Sequence, residues 1–507
     1  MRRPVRLTAL LAGLILLVGA APVQAQNDTT LGADLDAILA DPGLAGADVG
    51  LVVTTLDGEV VYQRASERRQ QPASNAKLAT SAAALEILGP DHTFTTTVAT
   101  PARRTGPVLH GDLYLRGTGD PTMLAGDYDA LAERVADSGV RLVTGRLAAD
   151  DTWFDDVRLG VSWAWDDEPY YYNAQVSALT ASPDTDYDAG SIIVRVAPGA
   201  AGGPAVVTTE PPTDYVRIVN EATTGAAGSD DTVSVDREHG GNTFTITGSI
   251  PADGSATTEW MAVWEPTDYA ASLFRAALER HGVRVLGRTV RAATPADARV
   301  LASRESMPLR ELQVPFLKLS NNLHAEILVK AIGRKVAGEG SWDAGRPAVA
   351  DALAGLGVTG KLSLVDGSGL SRMDQISPDQ LAQLLAGAVD RPWFADWYEA
   401  LPIAGESERM VGGTLRSRMD GTAADGAVHA KTGSLTGVSG LSGYVDTAAG
   451  DRWIFSMVTN NTIGVNTKAI EDKVAIRLAE EGGETSRPGP KVSSHEVTVE
   501  CSWEKAC

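Results

Sequence analysis

Ser74 and Lys77 stand three residues apart in a stretch that runs from Gln71-Pro72 to Gly89-Pro90. A hydroxyl and an amine at that spacing share one face of a helix. Serine becomes a nucleophile when a neighbouring base takes its proton. Lysine is such a base once burial or nearby charge has removed its own proton. A helix N-terminus beside the hydroxyl also favours developing negative charge. A Ser-x-x-Lys match is common by chance, and alone it describes a solvated lysine on an ordinary helix equally well. Its weight depends on partners far along the chain.

Two later clusters supply such partners. Ser320 and Asn322 flank Asn321 at the head of an apolar helical run within 315–330. A hydroxyl and an amide two apart at a turn can both face a cleft, although plain N-capping uses the same residue types. Further on, Val428-His-Ala-Lys-Thr-Gly-Ser-Leu435 reads as an exposed strand carrying Lys431, Thr432 and Ser434. Gly433 is expected to let a substrate approach the backbone closely. Such an edge is also where an extended peptide can add itself. Between the clusters, Asp366-Gly-Ser-Gly-Leu-Ser-Arg372 is a polar glycine-rich loop ending in Arg372, a candidate carboxylate binder. His429 is read as structural, because neither a histidine-based triad nor a metal site finds partners.

The elements that must position these groups follow from pattern. Leu31, Leu35, Ile38 and Leu39 mark one apolar helix face. Valine-rich 47–54 and 59–63, around the turn Leu56-Asp57-Gly58, predict a hairpin leading into the Ser74 helix. Alanines at 79 and 82–84 favour that helix, and Gly89-Pro90 stops it. Strands are expected at 94–99, 112–116 and 141–143, with a helix at 125–138. Residues 150–156 and 161–172 are dense in Trp, Tyr and Asp, as suits either interface packing or a binding wall. The Thr-, Val- and Gly-rich stretch 190–260 reads as a small all-β module, followed by a helix over 268–281 and a strand over 283–290. Residues 440–445 and 452–458 predict a strand pair.

The chain has 507 residues and a formal charge of −21. That length implies two or three domains. Arg2, Arg3 and Arg6, the apolar run 7–21 and Val23-Gln24-Ala25 form a secretory signal pattern over 1–25. Without its three arginines the charge falls to about −24, which argues against nucleic acid or an anionic membrane as partner. Cys501 and Cys507 are the only cysteines, and an oxidising destination would allow a small terminal disulfide.

Taken in order, Ser74-Asn-Ala-Lys77, Ser320-Asn-Asn322 and Lys431-Thr-Gly433 resemble the signature of the penicillin-binding proteins and serine β-lactamases. The long insert between the first two motifs narrows the match. Together with Gly119-Asp-Pro, Asp366-Gly-Ser-Gly-Leu-Ser and Gly412-Gly-Thr, it resembles the low-molecular-mass class C group of D-alanyl-D-alanine carboxypeptidases and endopeptidases, secreted actinomycete enzymes above all. The resemblance implies an α/β multi-domain fold whose catalytic domain has an antiparallel sheet between helices. Its parts would be 26–95 and 308–490. An inserted domain would comprise 96–186 and 270–307, a nested mainly-β domain 187–269, and a tail 491–507.

It also implies roles. Ser74 attacks, Lys77 is the acylation base, Ser320 relays a proton and Asn322 holds the substrate amide. The backbone N–H groups of Ser74 and Ser434 form the oxyanion hole, and Lys431, Thr432 and Ser434 receive the terminal carboxylate. Asp167 and Arg372, with Trp163, Trp165, Tyr172 and Leu435, would surround a diaminopimelate side chain of the peptidoglycan stem peptide. The family's tryptophans are adjacent, whereas here Ala164 separates them. No cofactor or metal is implied. No counterpart of the deacylating glutamate of class A β-lactamases is assigned, so β-lactams should be lasting covalent inhibitors. A β-lactamase or esterase, and a non-catalytic peptidoglycan-binding protein, are the alternatives.

Overall fold

The computed structural model describes residues 30–462 and 464–483. The signal segment 1–25 and the Cys501/Cys507 pair lie outside the described residues. Five antiparallel strands form the central sheet, in the spatial order Val60–Arg64, Asp48–Thr55, Arg452–Asn460, Val438–Asp446, Val428–Leu435. Its middle pairing joins the two ends of the chain, with Val52 opposite Ser456. The strand carrying Lys431 is an edge, as its sequence suggests.

Period-two alternation gives this sheet two apolar faces. Leu51, Val53, Phe455 and Met457 turn to one side, where the helices Thr30–Leu39 and Thr467–Ala479 cover them. Val52, Ile454 and Val458 turn to the other, against the helices Ala76–Ile87, Asn322–Ala337 and Pro378–Ala388. The first of these is apolar almost all round, and every residue from Ala76 to Leu85 is buried. A helix with that pattern belongs inside a core, where its alanines let neighbouring helices close in.

Most of the buried apolar residues between Val98 and Ala302 form a separate cluster, while Phe154, Ala174, Val176, Ala178, Ala189 and Ala262 join the core beside the central sheet. The larger sheet of this region runs Thr289–Arg291, Leu147–Asp150, Leu113–Gly117, Thr95–Thr100, Arg299–Glu305. The strand entering this region is thus paired with the strand leaving it, Thr95 opposite Glu305. The same device recurs within it, where Ser191–Ala197 pairs with Thr257–Ala262. Pairing entry with exit lets a long insert leave and return at one place without disturbing the parent sheet.

Two local expectations change. The strand expected over 283–290 is two short ones, Arg284–Val285 and Thr289–Arg291. Gly287 lies at the break, where a Cβ would sit 2.5 Å from the Gly145 carbonyl oxygen. Ser74 lies not on the long helix but in a single 3-10 turn before it, Ala73–Asn75.

Candidate active site

The turn that carries Ser74 is held from two sides by glycines. Ala73 adopts φ +47°, an unusual value for a residue with a Cβ. Gly369, at φ +86°, lies so close that a Cβ there would sit 1.9 Å from the Ala73 carbonyl oxygen. A Cβ on Gly433 would meet Asn75 Nδ2 at 2.6 Å and the Pro72 carbonyl oxygen at 2.8 Å. Gly433 therefore lets the edge strand dock on the turn that carries Ser74. Gly369→Ala combines left-handed strain with overpacking. It should lower stability by about 2–5 kcal/mol and slow any acylation of Ser74, as thermal melts and labelling kinetics will show.

Lys77 Nζ is 2.7 Å from Ser74 Oγ and donates to the Ser368 carbonyl oxygen at 2.9 Å. The lysine is completely buried. Burial lowers its pKa from the ordinary lysine value to about 7, against the opposing pull of Asp366 and Glu326. Near neutral pH much of Lys77 is therefore uncharged beside a serine hydroxyl. The second lysine is arranged in the same way. Lys431 Nζ lies 2.8 Å from Ser320 Oγ and donates to the Thr432 carbonyl oxygen at 2.9 Å. Its sequence suggests exposure, yet Lys431 is buried on the inner side of its strand. Burial, with repulsion from Lys77, holds its pKa well below the ordinary value. Ser320 sits between two helices at φ +62°. Such strain in a polar residue is characteristic of functional sites.

These groups meet at a cavity of about 390 Å³ lined by Ser74, Ser320, Asn322, Thr432 and Ser434. Asn322 Nδ2 donates to the Tyr172 carbonyl oxygen at 2.7 Å. Thr432 Oγ1 donates to Thr414 Oγ1 at 2.8 Å. The buried Ser434 hydroxyl has no hydrogen-bond partner among the described residues. Asp167, Tyr172, Arg372 and Leu435 line the same cavity. Tyr172 donates its hydroxyl to Asp167 at 3.0 Å, and Arg372 Nη1 donates to the Thr436 carbonyl oxygen at 3.0 Å. Burial is the main cause of a raised Asp167 pKa.

The two tryptophans stand apart from this group. Trp163 turns away from the cavity, donates to Asp366 Oδ2 at 2.8 Å and meets Trp342 edge-on. Trp165 is 73% exposed and stacks on His239. The aromatic wall of the cavity is instead Tyr170, Tyr171, Tyr172 and Trp260. His429 stacks on Tyr398, in keeping with a structural role.

Several contributors escape a reading of motifs alone. Glu326 is completely buried on the helix that follows Asn321, six residues after Ser320. Its position within an apolar helical run was the available signal, since an unpaired charge there is costly. Asp366 caps its own loop, accepting from Gly369 N at 2.8 Å and Ser371 N at 2.7 Å. Trp260 comes from the strand Thr257–Ala262, remote in sequence from every motif, and nothing local marks it.

The family model "D-Ala-D-Ala carboxypeptidase 3 (S13) family" matches residues 31–481. A D-alanyl-D-alanine carboxypeptidase of Actinomadura sp. (strain R39) is 49% identical, across 97% of this chain and 94% of the relative. The D-alanyl-D-alanine carboxypeptidase DacB of Haemophilus influenzae is 27% identical, across 84% of this chain and 88% of its own. The crystal structure of penicillin binding protein 4 (dacB) from that organism superimposes with a TM-score of 0.76 at 22% identity, covering 89% of this chain and 98% of that one. With the match spanning nearly all of the described residues, the chain belongs to the D-Ala-D-Ala carboxypeptidase 3 (S13) family of serine peptidases.

Proposed function

We propose that Ser74 is the nucleophile of this D-alanyl-D-alanine carboxypeptidase, with Lys77 as its base. The observation that carries the assignment is the 2.7 Å approach of a buried Lys77, its pKa lowered by burial, to Ser74. Ser74 Oγ attacks the carbonyl carbon of the terminal D-Ala-D-Ala peptide bond while Lys77 Nζ takes its proton. The backbone N–H groups of Ser74 and Ser434 stabilise the oxyanion. Ser320, in contact with Lys431, passes a proton to the departing amine. D-Ala leaves, the acyl-enzyme remains, and water releases the shortened peptide. Asn322 orients the substrate amide. Thr432 and Ser434 hydrogen-bond the terminal carboxylate, whose charge draws a proton onto Lys431.

The substrate is a peptidoglycan stem peptide bearing a diaminopimelate side chain. The half-buried Asp167 carboxylate, fixed by Tyr172, suits the free side-chain ammonium, and Arg372 suits the adjoining carboxylate. Asp167→Ala should raise KM for an amine-bearing peptide roughly thirtyfold, about 2 kcal/mol, with less effect on its N-acetylated analogue. Equal effects on both peptides would remove Asp167 from this role.

β-Lactams acylate the same serine as covalent inhibitors. The enzyme acts outside the cytoplasm, exported by residues 1–25 and carrying a Cys501–Cys507 disulfide in its tail. The insert 96–307, with 187–269 nested inside it, constitutes two added domains. Among the described residues no helix is long and apolar enough to cross a membrane. Intact mass spectrometry with benzylpenicillin, followed by product analysis on a diaminopimelate pentapeptide and on cross-linked dimers, tests the whole reading. A stable adduct on Ser74 and released D-Ala are expected. Rapid penicillin turnover without an adduct would make the protein a β-lactamase, and cleavage of dimers alone would make it an endopeptidase.

A further inference from the structure

Glu326 lies one layer behind the reacting groups and takes no part in the steps above. Its two oxygens receive three donors. Gly367 N is 3.2 Å from Oε1 and 3.0 Å from Oε2, Ser368 N is 2.8 Å from Oε1, and Trp342 Nε1 is 2.7 Å from Oε2. The residues it grips are those that hold the base. The Ser368 carbonyl oxygen accepts from Lys77 Nζ at 2.9 Å, and Thr80 Oγ1 donates to the Gly367 carbonyl oxygen at 2.7 Å. Lys77 in turn reaches Ser74. A continuous line of contacts therefore runs from Glu326 through one stretch of backbone to the nucleophile.

We propose that Glu326 is a positioning residue for the reaction. By clamping the backbone at Gly367 and Ser368, it aims the lone pair of Lys77 at the Ser74 hydroxyl. The proposal rests on the reading of Lys77 as the base.

The chemistry explains why a carboxylate stands here. A neutral amine has two hydrogens and one lone pair. When the Ser368 carbonyl takes one hydrogen, the lone pair is free to face Ser74. If that carbonyl drifts, nothing else among the described contacts of Nζ fixes its rotation. Three N–H groups converging on one side chain require an acceptor with no hydrogens, which an ionised glutamate supplies and a glutamine does not. Burial and the neighbouring Asp366 raise the Glu326 pKa, while the N–H donors favour its charged form and oppose that rise.

Charge offers an independent readout. Asp366 and Glu326 both favour the protonated form of Lys77. Lys431 faces Lys77 with like charge. Asp374, whose pKa is raised chiefly by burial, lies against Asp366, and Lys330 shares the helix and the field of Glu326. Removing the Glu326 charge takes away a favourable partner of the lysine cation. Lys77 should then lose its proton at lower pH.

The test is the rate of penicillin acylation against pH, followed by intact mass, for wild type, Glu326→Gln and Glu326→Asp, with melting temperatures alongside. Glu326→Gln should lower the plateau rate about 10- to 100-fold and move the acid limb to lower pH. Glu326→Asp keeps the charge but withdraws the oxygens, so its plateau should fall while the acid limb stays in place. A Glu326→Gln plateau within about twofold of wild type would overturn the proposal, as would a lowered melting temperature with unchanged acylation kinetics. Wild type that fails to label would instead sink the assignment of Ser74 and Lys77.

Discussion

The Ser74→Ala enzyme should give no covalent penicillin adduct and should release D-alanine about 10⁴- to 10⁶-fold more slowly than wild type. The loss is large because in the proposed mechanism Ser74 carries both halves of the reaction: it accepts the acyl group, and its ester is what water hydrolyses. The remaining machinery has no substitute at that point, since Lys77 reaches Ser74 and the Ser368 carbonyl oxygen but is itself fully buried. Stability should hold, because the change removes one oxygen from a turn fixed by its backbone and by the close approach of Gly369 and Gly433. Intact mass after penicillin treatment and chromatographic assay of D-alanine are the two measurements. Normal labelling of the alanine variant would place the nucleophile elsewhere.

Lys77→Arg should be almost as damaging, with acylation reduced about 10²- to 10⁴-fold at neutral pH, the range expected for loss of a general base. A guanidinium keeps its proton at every accessible pH and cannot accept that of Ser74. Wild type provides the companion measurement. Burial lowers the Lys77 pKa to about 7, so the free amine is scarce below that pH and predominant above it. The acylation rate should therefore climb with pH through about 7 and then level. In Lys77→Arg that limb should vanish. A permanent charge at a fully buried position also costs stability, so rates should be taken per folded molecule and compared with Lys77→Met, which preserves volume without charge. Near-normal acylation by either variant would remove Lys77 from the base role.

Much of the scaffold is legible in local pattern. The face of Leu31, Leu35 and Leu39 is the buried face of the first helix. The hairpin before Ser74 and the strand pair after Lys431 form where valine content and turn residues predict them. Other features are invisible locally. Trp163 and Trp165 both look suited to a binding wall, yet one donates to Asp366 and the other stacks on His239. A tryptophan's direction depends on which partners the fold brings near, and those partners lie tens or hundreds of residues away. Gly433 is likewise recognisable as a site of close approach, and only the fold shows that Asn75 and Pro72 stand beside it. The burial of Lys431 could not be read from an edge strand, because strand position says nothing about what packs over it.

The sequence by itself determined the reactive types and their order: a serine and a lysine three apart, a serine and an asparagine two apart, and a third motif carrying a second lysine. It also determined the family, because these short motifs and the insert between them occur together. Only the tertiary structure decided that Lys77 is desolvated, that Lys431 meets Ser320, and that Glu326 stands behind Lys77. The physical reason is that proton affinity and aim are not properties of a side chain alone. They are set by excluded water and by neighbouring charges and hydrogen-bond partners, which for this site come from both ends of the chain and from the insert between them.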